Sequence, residues 1–448
     1  MSQDSHLNEE IAIRRKRLYF TLFEGQLTRS YLSSDDGNLM KAICKKFDVV
    51  IITNRQLYDL IRLEIKRCRL DQFITIQIVP MYEDSWLTRV TGSFLRWSDS
   101  SPTTTLKIHW NLGDTAFPKI FLLLRILLNL LFSKSKSVAQ FMRKLYIKSF
   151  RISTIRTVLN LLEVETQDLL FISSLTNYWE DCVIGASFRS NGNKIIATVR
   201  SWDNLVSHGR LRLVPDIFIS HSSFMRNCAE NIQFFSPEKI VDGVTPTYQS
   251  IFLPMQRSKA SPVRHIIYAS MGLTTNPDDL NFCLLLIQLS QTLTNEVYLT
   301  ILEHPKFPLG IDLTSLPHNV EIMSFPYESS NIRDYYQMLL DSDLIICGGT
   351  TAALDGCFVG AKVALIAFEV EAQSYWQSAL RYFDTRLHTK TFFELSSLPV
   401  ISNEKELMIF LQTEIPIERC NEAAVEYFTG DKTKLFANVL IDTIEKNY

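Results

Sequence analysis

What most constrains this chain is an alternation, sustained almost end to end, of strand-length apolar runs with segments patterned at helical spacing. LYFTLF (18–23) leads through a turn at Gly25 to GNLMKAICKKF (37–47), then DVVIIT (48–53), RQLYDLIRLEIKRC (55–68) and FITIQIVP (73–80). A β-α-β-α-β opening predicts parallel strands joined by crossover helices. After a basic helical stretch the rhythm resumes with DLLFISS (168–174), a helix over 178–188, KIIATVRS (194–201), DIFISHS (216–222) and KIVDGV (239–244). Strands this continuously apolar imply a sheet covered on both faces.

The pattern breaks near LPMQRSKASPVR, where two prolines and small polar residues mark a linker over 251–264. A second alternating unit follows. It comprises HIIYASMG (265–272), a helix over 278–293, EVYLTILEHP (296–305), VEIMSF (320–325), a helix over 331–343, LIICGG (344–349), TAALDGCFVG (351–360) and VALIAF (363–368). The expected fold class is therefore α/β, with two Rossmann-like doubly wound parallel sheets facing a cleft. Residues 1–250 form the first domain, with a helical insertion at 115–162, and residues 265–448 form the second. The last helix is expected to fold back across the linker.

Composition closes off other classes. With 448 residues, 46% hydrophobic and 21% charged, neither extensive disorder nor a disulfide scaffold is expected. Residues 1–250 hold 32 Lys and Arg against 24 Asp and Glu, and residues 251–448 hold 14 against 24. A basic half faces an anionic polymer or membrane, but the whole chain is not basic enough for nucleic acid. Eight scattered cysteines read as reduced core residues, and the charged N-terminus lacks the apolar run of a secretion signal. A cytoplasmic location follows as an expectation.

IFLLLRILLNLLF (120–132) is too short to span a bilayer. No acid stands between Asp114 and Glu163, while Lys119, Arg125, Lys134, Lys136, Arg143, Lys144, Lys148, Arg151 and Arg156 are all basic. Such a pattern fits peripheral attachment of residues 119–156 to anionic lipid at the inner face of the plasma membrane. It fits equally a buried helix beside a solvated basic face.

In open α/β sheets ligands sit beyond the carboxyl ends of the strands, and four motifs fall there. Gly348-Gly349-Thr350-Thr351 opens a helix whose free amides can receive a phosphate, with Asp355 one turn on as a partner for a sugar hydroxyl. The plain alternative is a tight turn with an N-cap. His304-Pro305 ends a strand with its imidazole toward the cleft, a donor to phosphate. Ser270-Met271-Gly272 permits close approach of a diphosphate, or is simply a turn. Arg200-Ser201-Trp202-Asp203-Asn204 offers a carboxylate base, a ring to stack on a sugar and polar neighbours, or an Asx-turn. Gly25 joins Ser201, Trp202 and Asn204 on the acceptor side. Asp35-Asp36-Gly37 reads as a helix cap. No GxGxxG, GxxxxGK[ST] or GxSxG occurs, and no Asp/His cluster calls for a metal.

Taken together, SDLIICGGTTAALDGCFVGAKVALI resembles the donor-site strand-turn-helix of GT-B glycosyltransferases. VRSWDNLVSHGRLRLVPDIFISHSSFMRN resembles bacterial surface-polysaccharide proteins with a SWDN element. Asp203, His304-Pro305 and Thr350-Thr351 also follow the motif order of bacterial sialyl- and polysialyltransferases, with WDN in place of an acidic pair followed by Gly. The HP motif occurs in CDP-glycerol glycerophosphotransferases and Kdo transferases as well. The resemblance implies a sugar transfer to a hydroxyl of a cell-surface polysaccharide or lipid-linked glycan. Asp203 would be the base, and His304, Gly349, Thr350 and Thr351 would hold the leaving phosphate. The nucleotide-sugar would be a co-substrate, with no other cofactor and no metal. A nucleotide-sugar 2-epimerase, a glycerophosphotransferase and a non-catalytic scaffold remain alternatives.

Overall fold

The computed structural model describes residues 15–33, 37–80, 85–99, 101–106, 126–249, 255–257, 263–273, 276–293, 297–304, 308–311, 316–324, 332–375, 377–412 and 419–448. Two wholly parallel sheets form its frame. The first has seven strands in the order β3-β2-β1-β4-β5-β6-β7. These are β1 Arg17–Thr21, β2 Asp48–Thr53, β3 Ile74–Ile78, β4 Leu169–Ile172, β5 Lys194–Ala197, β6 Ile217–Ser220 and β7 Ile240–Asp242. The second has six, in the order β10-β9-β8-β11-β12-β13. Its strands are β8 Arg264–Ala269, β9 Val297–Glu303, β10 Val320–Ser324, β11 Leu344–Cys347, β12 Val363–Ile366 and β13 Val400–Ile401.

Both sheets start in the middle, wind to one edge, then return to wind the other way. Each thus has a switch point where strand order reverses, between β1 and β4 and between β8 and β11. Strand interiors are buried on both faces, as in Leu169–Ile172 and Leu344–Cys347, because helices cover each side. All eight cysteines are buried and none is in a disulfide.

On one face of the first sheet, Phe20, Tyr31, Phe171 and Phe436 pack edge-on or tilted with centroids 4.6–6.1 Å apart. Phe436 belongs to the C-terminal helix Phe436–Asn447. Its Ala437, Leu440, Ile441 and Ile444 share a core with Leu39, Met40 and Ile43 of the first domain. Lys46 pairs with Glu445 at 2.9 Å, and Lys16 Nζ donates to the Tyr448 carbonyl at 2.6 Å. This corrects the boundary at 265–448: the last helix completes the first domain's core, because its apolar stripe finds uncovered Leu18 and Phe20 there. The crossing is made at Gly430, which bridges Val244 with φ +82° and leaves no room for a Cβ beside the His221 carbonyl.

The helical insertion is present in part. Residues 126–132 are helical, followed by helices Lys136–Lys148 and Ile152–Leu162. Residues 120–125, most of the linker, Asp35, Asp36 and Pro305 lie outside the described residues. No helix among the described residues is long and apolar enough to cross a membrane.

Candidate functional site

At the switch point of the second sheet, Cys347 of β11 lies beside Ala269 of β8. The loop after β8 turns at Gly272, φ +76°. It is pinned by Asp279, fully buried in the first turn of helix Asp279–Thr292, whose carboxylate accepts from the Tyr268 and Ser270 hydroxyls and the Gly272 amide, the last at 2.9 Å. Burial raises the Asp279 pKa, and those three donors oppose the shift. Gly272 therefore serves loop geometry here, and its amide is already committed.

Across from it, the Gly348–Gly349 turn enters helix Thr351–Val359. A Cβ on Gly348 would collide with Met271, and one on Gly349 would stand 2.6 Å from Tyr382 Cβ. The two glycines are dictated by close packing of neighbouring loops around the turn. Thr350 occupies the N-cap in extended conformation without a side-chain cap, and its hydroxyl lies against the Cys347 thiol without a well-formed hydrogen bond. Thr351 is exposed. The Thr350 amide donates to the Gly348 carbonyl at 2.8 Å and the Ala353 amide to the Thr350 carbonyl at 3.2 Å, so the amides of Thr351 and Ala352 are the ones this end can offer an anion. His304 reaches the same edge: it stands two residues past Leu302, which pairs with Ala269 and whose carbonyl accepts the Ser270 amide at 3.0 Å.

Asp355 does not join them. Although one turn into the helix, it points inward, where the hydroxyls of Tyr248, Tyr335 and Tyr336 donate to it at 2.8, 3.2 and 3.4 Å. Burial pushes its carboxyl up to about 7. Its role as a sugar contact is replaced by that of a buried anchor. Tyr248, from the end of the first domain, stacks on Phe358 at 4.3 Å.

At the first sheet's carboxyl edge, the loop after β5 behaves differently from its sequence reading. Trp202 is 6% exposed and packs edge-on against His388, Phe392 and Phe428, with centroids at 5.0, 5.6 and 5.3 Å. An indole enclosed by three rings has no face to offer a sugar, so the stacking platform is corrected to a core contact. Asn204 is buried and its Oδ1 accepts the Ser201 amide at 2.7 Å, closing the loop back on a residue three positions earlier rather than forming an Asx-turn. Gly25 begins the short helix Gly25–Thr28 with ordinary space around it, so nothing there demands glycine. Asp203 is half-buried and accepts from the Ser207 hydroxyl at 2.8 Å.

Three groups at this edge escape a motif search. Glu24, just past β1, pairs with Arg200 and keeps Oε1 buried without a hydrogen-bond partner. An acid immediately before Gly25 was the available signal. Asp181 opens helix Trp179–Ser190, fully buried, with Oδ1 unpartnered and its carboxyl pushed up to about 7 by burial. The third is Arg386, whose guanidinium lies 3.8 Å over the Tyr382 ring with Nε unpartnered. Residues 382–388 run from one edge to the other. Tyr382 abuts Gly349, the Leu387 amide donates to Thr103 Oγ1 at 2.9 Å, and the His388 ring meets Trp202. Among the described residues no cluster of His, Cys, Asp and Glu suits a metal.

Two facing Rossmann-like domains with switch points at their carboxyl edges define a GT-B architecture. No protein-family model matches the chain, and no curated protein matches its sequence. Among solved structures it is similar to S. aureus MnaA in complex with UDP, with TM-score 0.52 and 10% identity over 96% of each chain. It is also similar to the UDP-GlcNAc 2-epimerase of Methanocaldococcus jannaschii, with TM-score 0.52 and 9% identity, covering 96% of this chain and 100% of that one. The Neisseria meningitidis UDP-GlcNAc 2-epimerase bound to UDP-GlcNAc gives TM-score 0.50 and 10% identity over 96% and 100%. At such identities the likeness is one of fold.

Proposed function

We propose that the chain is a glycosyltransferase that moves a sugar from a nucleoside-diphosphate donor to a hydroxyl acceptor. The observation that carries this is the run from Gly349 through Tyr382, Arg386 and His388 to Trp202, which joins an anion-receptive helix end to a carboxylate-bearing edge. UDP and UDP-GlcNAc in the similar structures support a uridine nucleotide as donor.

The diphosphate would lie over Gly348–Thr350, with the first-turn amides, His304 and Arg386 offsetting its charge. An acceptor hydroxyl would give its proton to a carboxylate and attack the anomeric carbon as the bond to phosphate breaks, the nucleoside diphosphate leaving with the electron pair. Asp203 is the base in this reading, and Glu24 is the second carboxylate within the same edge. A 2-epimerase is the competing reading, because the similar structures include two proteins of that activity.

Thermal shift with UDP, GDP, CMP, CDP and dTDP tests the donor: ligand at 100 times Kd adds about 2.7 kcal/mol. UDP should raise the melting temperature selectively, and no shift with any of the five would sink the reading. With a responsive nucleotide-sugar, Asp203→Asn should lower transfer by ~10²–10⁴-fold. Full activity in Asp203→Asn with collapse in Glu24→Gln would move the base to Glu24. Acceptor-independent inversion at C2 would make the protein an epimerase.

A further inference from the structure

We infer that the first domain docks on a membrane surface bearing anionic lipid, through the exposed stripes of four adjoining helical segments. Helix Trp86–Trp97 packs on Lys136–Lys148. The Ser85 and Thr88 hydroxyls reach the Ser149 carbonyl at 3.2 and 3.4 Å, which sets Trp86 near the start of Ile152–Leu162. Residues 126–132 join through Phe94 and Phe132, whose rings lie 5.6 Å apart.

Each segment turns large apolar side chains to solvent: Trp86 is 74% exposed, Leu130 77%, Phe141 64% and Ile152 69%. These are ordered along helix faces. Trp86 and Val90 stand one turn apart, and Ile126, Leu127, Leu130 and Leu131 share one side of their helix. Cations share the same stripes. Phe141, Lys144 and Lys148 follow helical spacing, as do Ile152 and Arg156, and all are exposed.

Between Ser85 and Leu162 the only acids are Asp114 and the fully buried Asp99. No salt bridge among the described residues engages Lys134, Lys136, Lys144, Lys148, Arg151 or Arg156. An apolar patch on helices that carry exposed cations and, among their described residues, no exposed acid before the Glu163 cap matches anionic headgroups over acyl chains, into which such faces sink by roughly 5–10 Å. A second copy meeting this face symmetrically would set the same cations against each other.

Buried residues between these helices tie them to the loop after β5. The Ser101 and Thr104 hydroxyls donate to the Val206 carbonyl at 2.5 and 3.0 Å, three residues from Asp203, and the Arg210 guanidinium donates to the Ser133 carbonyl.

Co-sedimentation of the full chain with vesicles needs neither nucleotide nor turnover, so it stands apart from the catalytic reading. The protein should pellet with vesicles of mixed phosphatidylglycerol and phosphatidylcholine, stay in solution with phosphatidylcholine alone, and be released by salt. Each basic contact is worth about fivefold in partition. Lys144→Glu with Lys148→Glu should therefore weaken binding by at least ~25-fold. Leu130→Ser with Phe141→Ser should abolish insertion, with melting temperatures unchanged because all four positions are exposed. Equal sedimentation with neutral vesicles, none with either, or unchanged binding in both double variants would overturn the inference. So would a lipid-free dimer that the same variants dissociate.

Discussion

Asp355 shows how a residue's type can be readable while its direction is not. A carboxylate one turn past a glycine turn has the pattern of a ligand contact, yet three tyrosine hydroxyls enclose it. Its carboxyl rises from 3.8 to about 7 because burial outweighs those hydrogen bonds. Below its unfolded pKa the group is neutral in both states and its contribution to stability is fully present. That contribution is lost as pH rises toward 7, because the unfolded chain ionises first. Asp355→Asn stays neutral, so its melting temperature relative to wild type should climb from about pH 4 to about pH 7 and level off above. A difference that does not change with pH would mean the wild-type carboxyl is ionised throughout. Trp202 teaches the same lesson with opposite chemistry, since an aromatic at a strand end reads alike whether it faces a sugar or three other rings.

At the scale of elements, the twelve apolar runs read as strands are all strands, because parallel strands covered on both faces need apolar residues throughout. The thirteenth, Val400–Ile401, has two residues and gives no periodic signal. Helices Leu387–Ser396, Glu404–Gln412 and Glu422–Thr429 also went unread. The C-terminal helix is legible as a helix that folds back across the linker, but the expected boundary at 265–448 leaves it in the second domain. Its amphipathic stripe does not say which sheet it covers. Phe436→Ala, which empties the centre of that contact, should cost ~3–5 kcal/mol in chemical denaturation. A loss below about 1 kcal/mol would place this ring outside the first domain's core.

For the molecule as a whole, two aromatic contacts join the halves: the Trp202 cluster, where one indole from the first domain meets three rings that follow β12 in the chain, and Tyr248 on Asp355 and Phe358. The buried core runs through the Trp202 cluster from Phe218 and Phe224 to Phe392 and Phe428 without a break. Trp202→Ala should therefore loosen one half against the other. Calorimetry should resolve two unfolding transitions in the variant where the wild type shows one, and a single unshifted transition would show that the halves are coupled elsewhere.

By itself, the sequence determined the class of fold and the succession along the chain of nearly all strands. These depend on local periodicity and on the handedness of parallel crossovers, which act within a few dozen residues. Tertiary structure alone decided which candidates face the cleft. It turned Trp202 and Asp355 inward, committed the Gly272 amide to Asp279, and brought Glu24 beside Arg200 across 176 positions. Packing settles such choices through contacts between segments far apart in the chain, and no window of sequence contains both partners.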